Sequence, residues 1–81
     1  MRGSPDFAER IGTRIRLIRL AQGMSQAEVA ARAKTGRPYI CQIELGKFDI
    51  RLDTIFDLCR ALRVQPSQLF EGITVEWEDL G

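Results

Sequence analysis

Apolar residues return every three or four positions at the start of the chain, at Phe7, Ile11, Ile15 and Ile18. That period is helical and predicts an amphipathic helix from Ser4-Pro5 to Gln22, with its stripe on a core and Gly23 as its stop. Arg10, Arg14 and Arg16 fall off the stripe. Residues 25–46 then divide into two short helices joined by a tight turn. Ser25 and Glu28 form a capping box, in which each side chain meets the other residue's backbone N–H. Met24 and Val29 stand where a hydrophobic staple closes that first turn. Ala27, Ala30, Ala31 and Ala33 keep the second helix thin enough for close packing. Thr35-Gly36 is the predicted break, and Arg37-Pro38 opens the third helix, where a first-turn proline forgoes no intrahelical bond. Ile40 and Ile43 form its narrow apolar stripe, which leaves Arg37, Tyr39 and Gln42 on the outer surface. Gly46 is the expected left-handed cap.

After a loop from Lys47 to Arg51, Ile55, Leu58, Cys59 and Leu62 mark the buried face of a fourth helix, Leu52 to Leu62. Gln65-Pro66-Ser67-Gln68 predicts a fifth, very short one with Pro66 at its first position and Leu69 and Phe70 as anchors. Past Gly72 the period drops to two, with Ile73, Val75 and Trp77 alternating with Thr74, Glu76 and Glu78, as in a strand. A lone strand needs a partner for its backbone groups. It therefore folds back on its own domain, pairs with the same strand of a second subunit, or remains a disordered tail. The expected fold class is all-α, a five-helix bundle over residues 7–70. Residues 1–6 are read as a leader or disordered segment, and 71–81 as an acidic tail or dimerisation strand.

Composition narrows the chemistry. Eighty-one residues, 44% hydrophobic and 28% charged, suit one small globular domain. No apolar run approaches the ~18 residues of a membrane span, and no signal peptide is visible, so a cytoplasmic location is expected. Met-Arg-Gly-Ser at the start resembles a vector-derived leader and carries no functional expectation. There is no histidine, and Cys41 and Cys59 stand alone without a CxxC pair. Four soft ligands for zinc are therefore not available, and no metal or other cofactor is expected. Both thiols read as small apolar residues. The commonest general base near neutral pH is missing, and no nucleophile–base set or phosphate-binding glycine loop can be assembled. An enzyme is not expected.

The net charge of +1 conceals an asymmetry. Residues 7–70 carry eleven Lys and Arg against six Asp and Glu, whereas residues 71–81 carry four acids and no base. A basic core beside an acidic tail is compatible with nucleic-acid binding and does not establish it.

Four stretches in register carry a resemblance. Ile15-Arg16-Leu17-Ile18-Arg19, Met24-Ser25-Gln26-Ala27-Glu28-Val29-Ala30, Tyr39-Ile40-Cys41-Gln42-Ile43-Glu44-Leu45-Gly46-Lys47, and Ala61-Leu62-Arg63-Val64 with Leu69-Phe70 are similar to the Cro/repressor-type, or XRE, family. The resemblance spans roughly Ile11 to Phe70. It implies a phage-repressor-like DNA-binding bundle with the third helix in the major groove of an operator. It also implies that Gln26 buttresses that helix and meets a phosphate or base, and that Arg37, Pro38 and Gln42 carry base contacts. Tyr39 is implied to reach a phosphate, with Ser25 and Lys47 near the backbone. Arg19 and Glu44 are implied to form a largely buried ion pair between the first and third helices.

Side-chain chemistry supports part of this independently. Arginine can bond guanine O6 and N7 with two parallel hydrogen bonds, and glutamine can do the same to adenine N6 and N7. Pro38 departs from the polar residue usual at its position, and offers only shape or contact with a thymine methyl group. The alternatives are a solvated charge for Arg37, a water-facing Gln42, and a Tyr39 that packs over the second helix.

One recognition helix reads about four base pairs, so a homodimer on a near-palindromic double-stranded DNA operator is expected, its two helices about 34 Å apart. Phe48 and Ile50 in the loop, and Ile73, Val75 and Trp77 in the tail, are the candidate dimer contacts, although Ile50 suits the core equally. The leading expectation is a sequence-specific transcriptional regulator with no small-molecule ligand. Controllers of restriction–modification operons resemble the chain in size and in the Arg-x-Tyr-Ile entry to helix three. The alternative is a protein-interaction module, antitoxin-like or a bridging adaptor, that keeps the helix-turn-helix fold. Leu45, Phe48 and the acidic tail keep it open.

Overall fold

The structure, a computed structural model, describes residues 6–47, 49–75 and 77. Its five helices follow in the expected order: α1 (Asp6–Ala21), α2 (Gln26–Arg32), α3 (Arg37–Glu44), α4 (Leu52–Leu62) and α5 (Pro66–Leu69). The periodic residues meet in one core. Ile15 and Ile18 of α1 join Val29 of α2, Ile40 and Ile43 of α3, Leu58 and Leu62 of α4, and Leu69 of α5. Met24 and Val29, the staple pair, are both buried in that cluster. Ile11, nearer the start of α1, packs on it from the edge. Of the α2 alanines, Ala30 is buried and Ala33 half-buried, whereas Ala27 and Ala31 face outward.

The ends of the helices show where local sequence rules hold and where tertiary structure overrides them. Gly23 and Gly46 both adopt φ near +70°. Each closes its helix with a paired cap: Met24 N–H donates to the Arg19 carbonyl at 3.1 Å, and Lys47 N–H to the Gln42 carbonyl at 3.1 Å. The break between α2 and α3 contains Thr35-Gly36, as expected. The left-handed residue there is Lys34, at φ 59°, while Gly36 is extended at φ −95° and serves as the N-cap of α3. Arg63 caps α4 in the same left-handed way, at φ 56°. Two last-turn carbonyls of α4 are met from outside, Leu62 by the Gln22 amide at 2.6 Å and Ala61 by Arg32 at 3.3 Å.

α1 and the end of α3 approach more closely than any side chain would allow. A Cβ on Gly12 would overlap the Ile43 carbonyl oxygen and lie 2.7 Å from that of Glu44. At the next turn, a Cβ on Gly46 would sit 2.7 Å from the Cα of Glu9. This backbone-on-backbone seam fixes the angle at which α3 stands on α1.

Beyond α5, Glu71 is tied back to α1. Arg14 donates to the Gln68 carbonyl and to Glu71, each at 3.0 Å. Among the described residues there is no strand, so residues 73–75 and 77 form no ribbon folded back on their own domain. Ile73 is half-buried, Val75 is exposed and Trp77 is 83% exposed. No helix among the described residues is long and apolar enough to cross a membrane.

Candidate nucleic-acid interface

The capping box forms as the sequence predicts. Glu28 N–H donates to Ser25 Oγ at 3.0 Å, and Ser25 N–H donates to Glu28 Oε1 at 2.7 Å. The Ser25 bonds, led by its backbone N–H, hold the exposed Glu28 carboxyl below the usual carboxylate range.

Glu44, on the buried side of α3, is the joint of the motif. Arg19 Nε donates to its Oε2 at 2.7 Å and Arg19 Nη2 to its Oε1 at 3.0 Å, a two-pronged pair. Gln26 Nε2 donates to the same Oε1 at 3.0 Å, and Arg19 Nη1 donates to the Met24 carbonyl at 2.9 Å. The side chains of Arg19 and Glu44 are only 9% and 3% exposed. Hydrogen bonding to Glu44 holds the Arg19 guanidinium above its ordinary pKa, against the opposing effect of burial. One carboxylate thus binds α1, α2 and α3 together, and no buried side-chain polar atom among the described residues lacks a partner.

With Ile40, Ile43 and Glu44 turned inward, the helical period sends the opposite face of α3 to solvent. Pro38 and Gln42 are exposed there, Arg37 is exposed at the first residue of the helix, and Lys47 is exposed just past the cap. Gln26 is half-buried, its amide on Glu44, so it braces the third helix from the start of the second. Ser25 is exposed beside it, with its oxygen engaged in the cap. Tyr39 differs from the expected outer position. It is half-buried, packs on the core, and places its hydroxyl 3.4 Å from Thr54 Oγ1 of α4. The reason is angular: Tyr39 lies on the flank of α3 next to Ile43, within reach of Thr54 on α4.

The candidate dimer contacts separate as well. Ile50 is half-buried against the core, and Phe48 lies outside the described residues. Leu52 and Phe56, which the sequence did not single out, are exposed one turn apart on α4. Gly12 was also missed, although an isolated glycine inside a helical period is a known signal of close approach. Leu45 is 55% exposed at the end of the outer face of α3.

Comparison with known proteins agrees with this geometry. The family model of the helix-turn-helix matches residues 15–69. The control protein C.BamHI of Bacillus amyloliquefaciens is 38% identical over 65 residues, which is 79% of this chain and 80% of that protein. An uncharacterized helix-turn-helix-type transcriptional regulator of Sinorhizobium fredii, y4dL, is 39% identical over 69 residues, and the match spans only 35% of its length. The crystal structure of the restriction–modification controller protein C.AhdI from Aeromonas hydrophila superposes with a TM-score of 0.78 at 32% identity. That match covers 80% of this chain and 98% of that one.

Proposed function

Because this chain belongs to the XRE-type helix-turn-helix family of transcriptional regulators, we propose that it binds a near-palindromic operator in double-stranded DNA as a homodimer. Each copy sets α3 in the major groove. One observation carries the proposal: the exposed Arg37, Pro38 and Gln42 face stands on a helix whose angle is fixed by the buried Arg19–Glu44–Gln26 joint. A polar helix held rigidly at an angle is what direct readout requires. Arg37 and Gln42 are the sequence-reading residues, bidentate toward guanine and adenine respectively. Ser25, Tyr39 and Lys47 position the backbone. For Tyr39 the contact uses the rim of a ring that α4 already braces.

The names of its relatives suggest the genes it serves. A control protein and a restriction–modification controller are among the proteins it resembles, and the same role, occupying the operator of a restriction–modification operon to repress or locally activate it, is proposed here. Dimerisation places two copies of α3 about 34 Å apart, one helical turn of DNA. The exposed apolar pair Leu52 and Phe56, with Val75 and Trp77, offers surface for the two-fold contact.

The test is selection from a randomised duplex library at low and moderate salt, comparing the parent with the Arg37→Ala, Gln42→Ala double variant. The parent is expected to enrich a near-palindromic motif that the variant does not. Phosphate binding also predicts a log-linear fall of affinity with salt. Absence of any enriched motif, with binding indifferent to salt, would point to the protein-interaction alternative.

A further inference from the structure

We propose that Leu45 is a specificity-determining residue, which with Pro38 packs against the 5-methyl groups of thymines on either side of the base pair met by Gln42. This deepens the operator reading above and rests on α3 being the helix that enters the groove. Pro38, Gln42 and Leu45 are spaced i, i+4, i+7, so at 100° per residue they fall within about 60° of one another on the helix. That arc lies opposite the buried Ile40, Ile43 and Glu44. Leu45 is 55% exposed and lies outside the core cluster, so packing among the described residues does not account for it.

The backbone that carries it is nevertheless fixed. Leu45 N–H donates to the Cys41 carbonyl at 3.1 Å, and the following Gly46 is seated on the Glu9 backbone. The outer face of α3 is therefore an ordered sequence of apolar, amide and apolar groups. Leu45 lies about 4.5 Å along the axis from Gln42, comparable to the ~3.4 Å step between base pairs.

The major-groove edges of guanine, adenine and cytosine present only hydrogen-bonding atoms, whereas thymine adds a methyl group. Neither leucine nor proline can bond to those atoms, and covering them leaves them without water or partner. The methyl is the one group in the groove that these two side chains match. A half-site rich in thymine around a Gln42-contacted adenine is the consequence.

The experiment replaces each thymine of the enriched duplex singly by deoxyuridine, which removes the methyl and keeps the base pair. Binding is measured for the parent, Leu45→Ala and Pro38→Ala, with far-UV circular dichroism as a check on folding. The parent is expected to lose about four-fold in affinity at a thymine of each half-site, the worth of one buried methyl. Leu45→Ala should be indifferent to uridine at that thymine, and Pro38→Ala at a different one. Equal parent affinity for all uridine duplexes, or methyl dependence in Leu45→Ala that survives at every thymine at which the parent shows it, overturns the role of Leu45 while leaving operator binding intact. Failure to enrich any duplex overturns both.

Discussion

Replacing Gly12 by alanine separates a tertiary argument from a local one, because the two predict opposite signs. Judged by helix propensity alone, Gly→Ala inside α1 stabilises by about 0.5–1 kcal/mol. In the folded chain the new methyl would meet the Ile43 carbonyl oxygen and lie 2.7 Å from the Glu44 carbonyl oxygen. Both obstacles are backbone, so no rotamer change relieves them. Ordinary contact begins at 3.4 Å, so α1 and α3 must separate by about 0.7 Å to clear the Glu44 oxygen and by more to clear the nearer Ile43 oxygen, in an interior with little void to absorb it. Overpacking of this kind costs about 1–3 kcal/mol. The upper part of that range applies, because the separation also stretches the 2.7 Å bond from Arg19 to Glu44. Subtracting the propensity gain leaves a net loss of about 2 kcal/mol. For a domain of this size that lowers Tm by about 8–16 °C. Thermal and urea unfolding followed by circular dichroism measure it, with exposed Thr13→Ala on the same helix as the control for propensity. A Tm unchanged or raised in Gly12→Ala would refute the close-approach argument.

Arg19→Ala leaves Glu44 buried without its cation and is expected to cost about 3–5 kcal/mol. The Arg19→Met, Glu44→Leu pair should lose much less than the sum of its single changes in a urea-melt cycle. Arg63→Gly removes a left-handed arginine; relief of about 1–2 kcal/mol of strain, less about 0.5–1 for glycine's freedom in the unfolded chain, predicts a net gain near 0.5–1 kcal/mol, seen as a raised Tm. Ser25→Ala removes a cap worth about 1 kcal/mol, seen as a lowered Tm. The Glu28 carboxyl is held below its ordinary 4.5, so its contribution is fully present above that pH and fades as pH falls through the lower folded value. Melting from pH 6 to pH 3 should therefore show a shallower decline in Glu28→Gln, which has no carboxylate to titrate, than in the parent.

Local signals foretold much of the fold. The Ser25–Glu28 box, Pro38 in the first turn of α3, the Ile55–Leu58–Cys59–Leu62 face of α4 and the Gly23 and Gly46 caps each depend on residues close in sequence, and each appears in the structure. The exceptions depend on packing. Lys34 and Arg63 take left-handed caps because their helices must end where the core ends, whatever residue stands there. Tyr39 turns inward because α4, fifteen residues further on, reaches its hydroxyl through Thr54. At the candidate site, the bond from Gln26 to Glu44 accompanies a pairing of Arg19 with Glu44 that only the family resemblance suggested. The exposure of Leu45 and of Leu52 with Phe56 follows from a helical wheel only after the buried side of each helix is known.

The Glu44 joint has a consequence for how such a chain diversifies. The groups that set the pose of α3 are Arg19, Gln26, Glu44 and the glycine seam, and all of them lie behind the helix. Arg37, Pro38, Gln42 and Leu45 lie in front and support none of those bonds. Surface changes remote from caps and buried networks usually shift stability by no more than about 0.5 kcal/mol, which covers Gln42 fully and requires of Arg37, Pro38 and Leu45 only that the ends of α3 be kept. Substitution can therefore move freely over the front of the helix while the back holds its aim, so that a copied gene acquires a new address on DNA without having to solve the folding problem again.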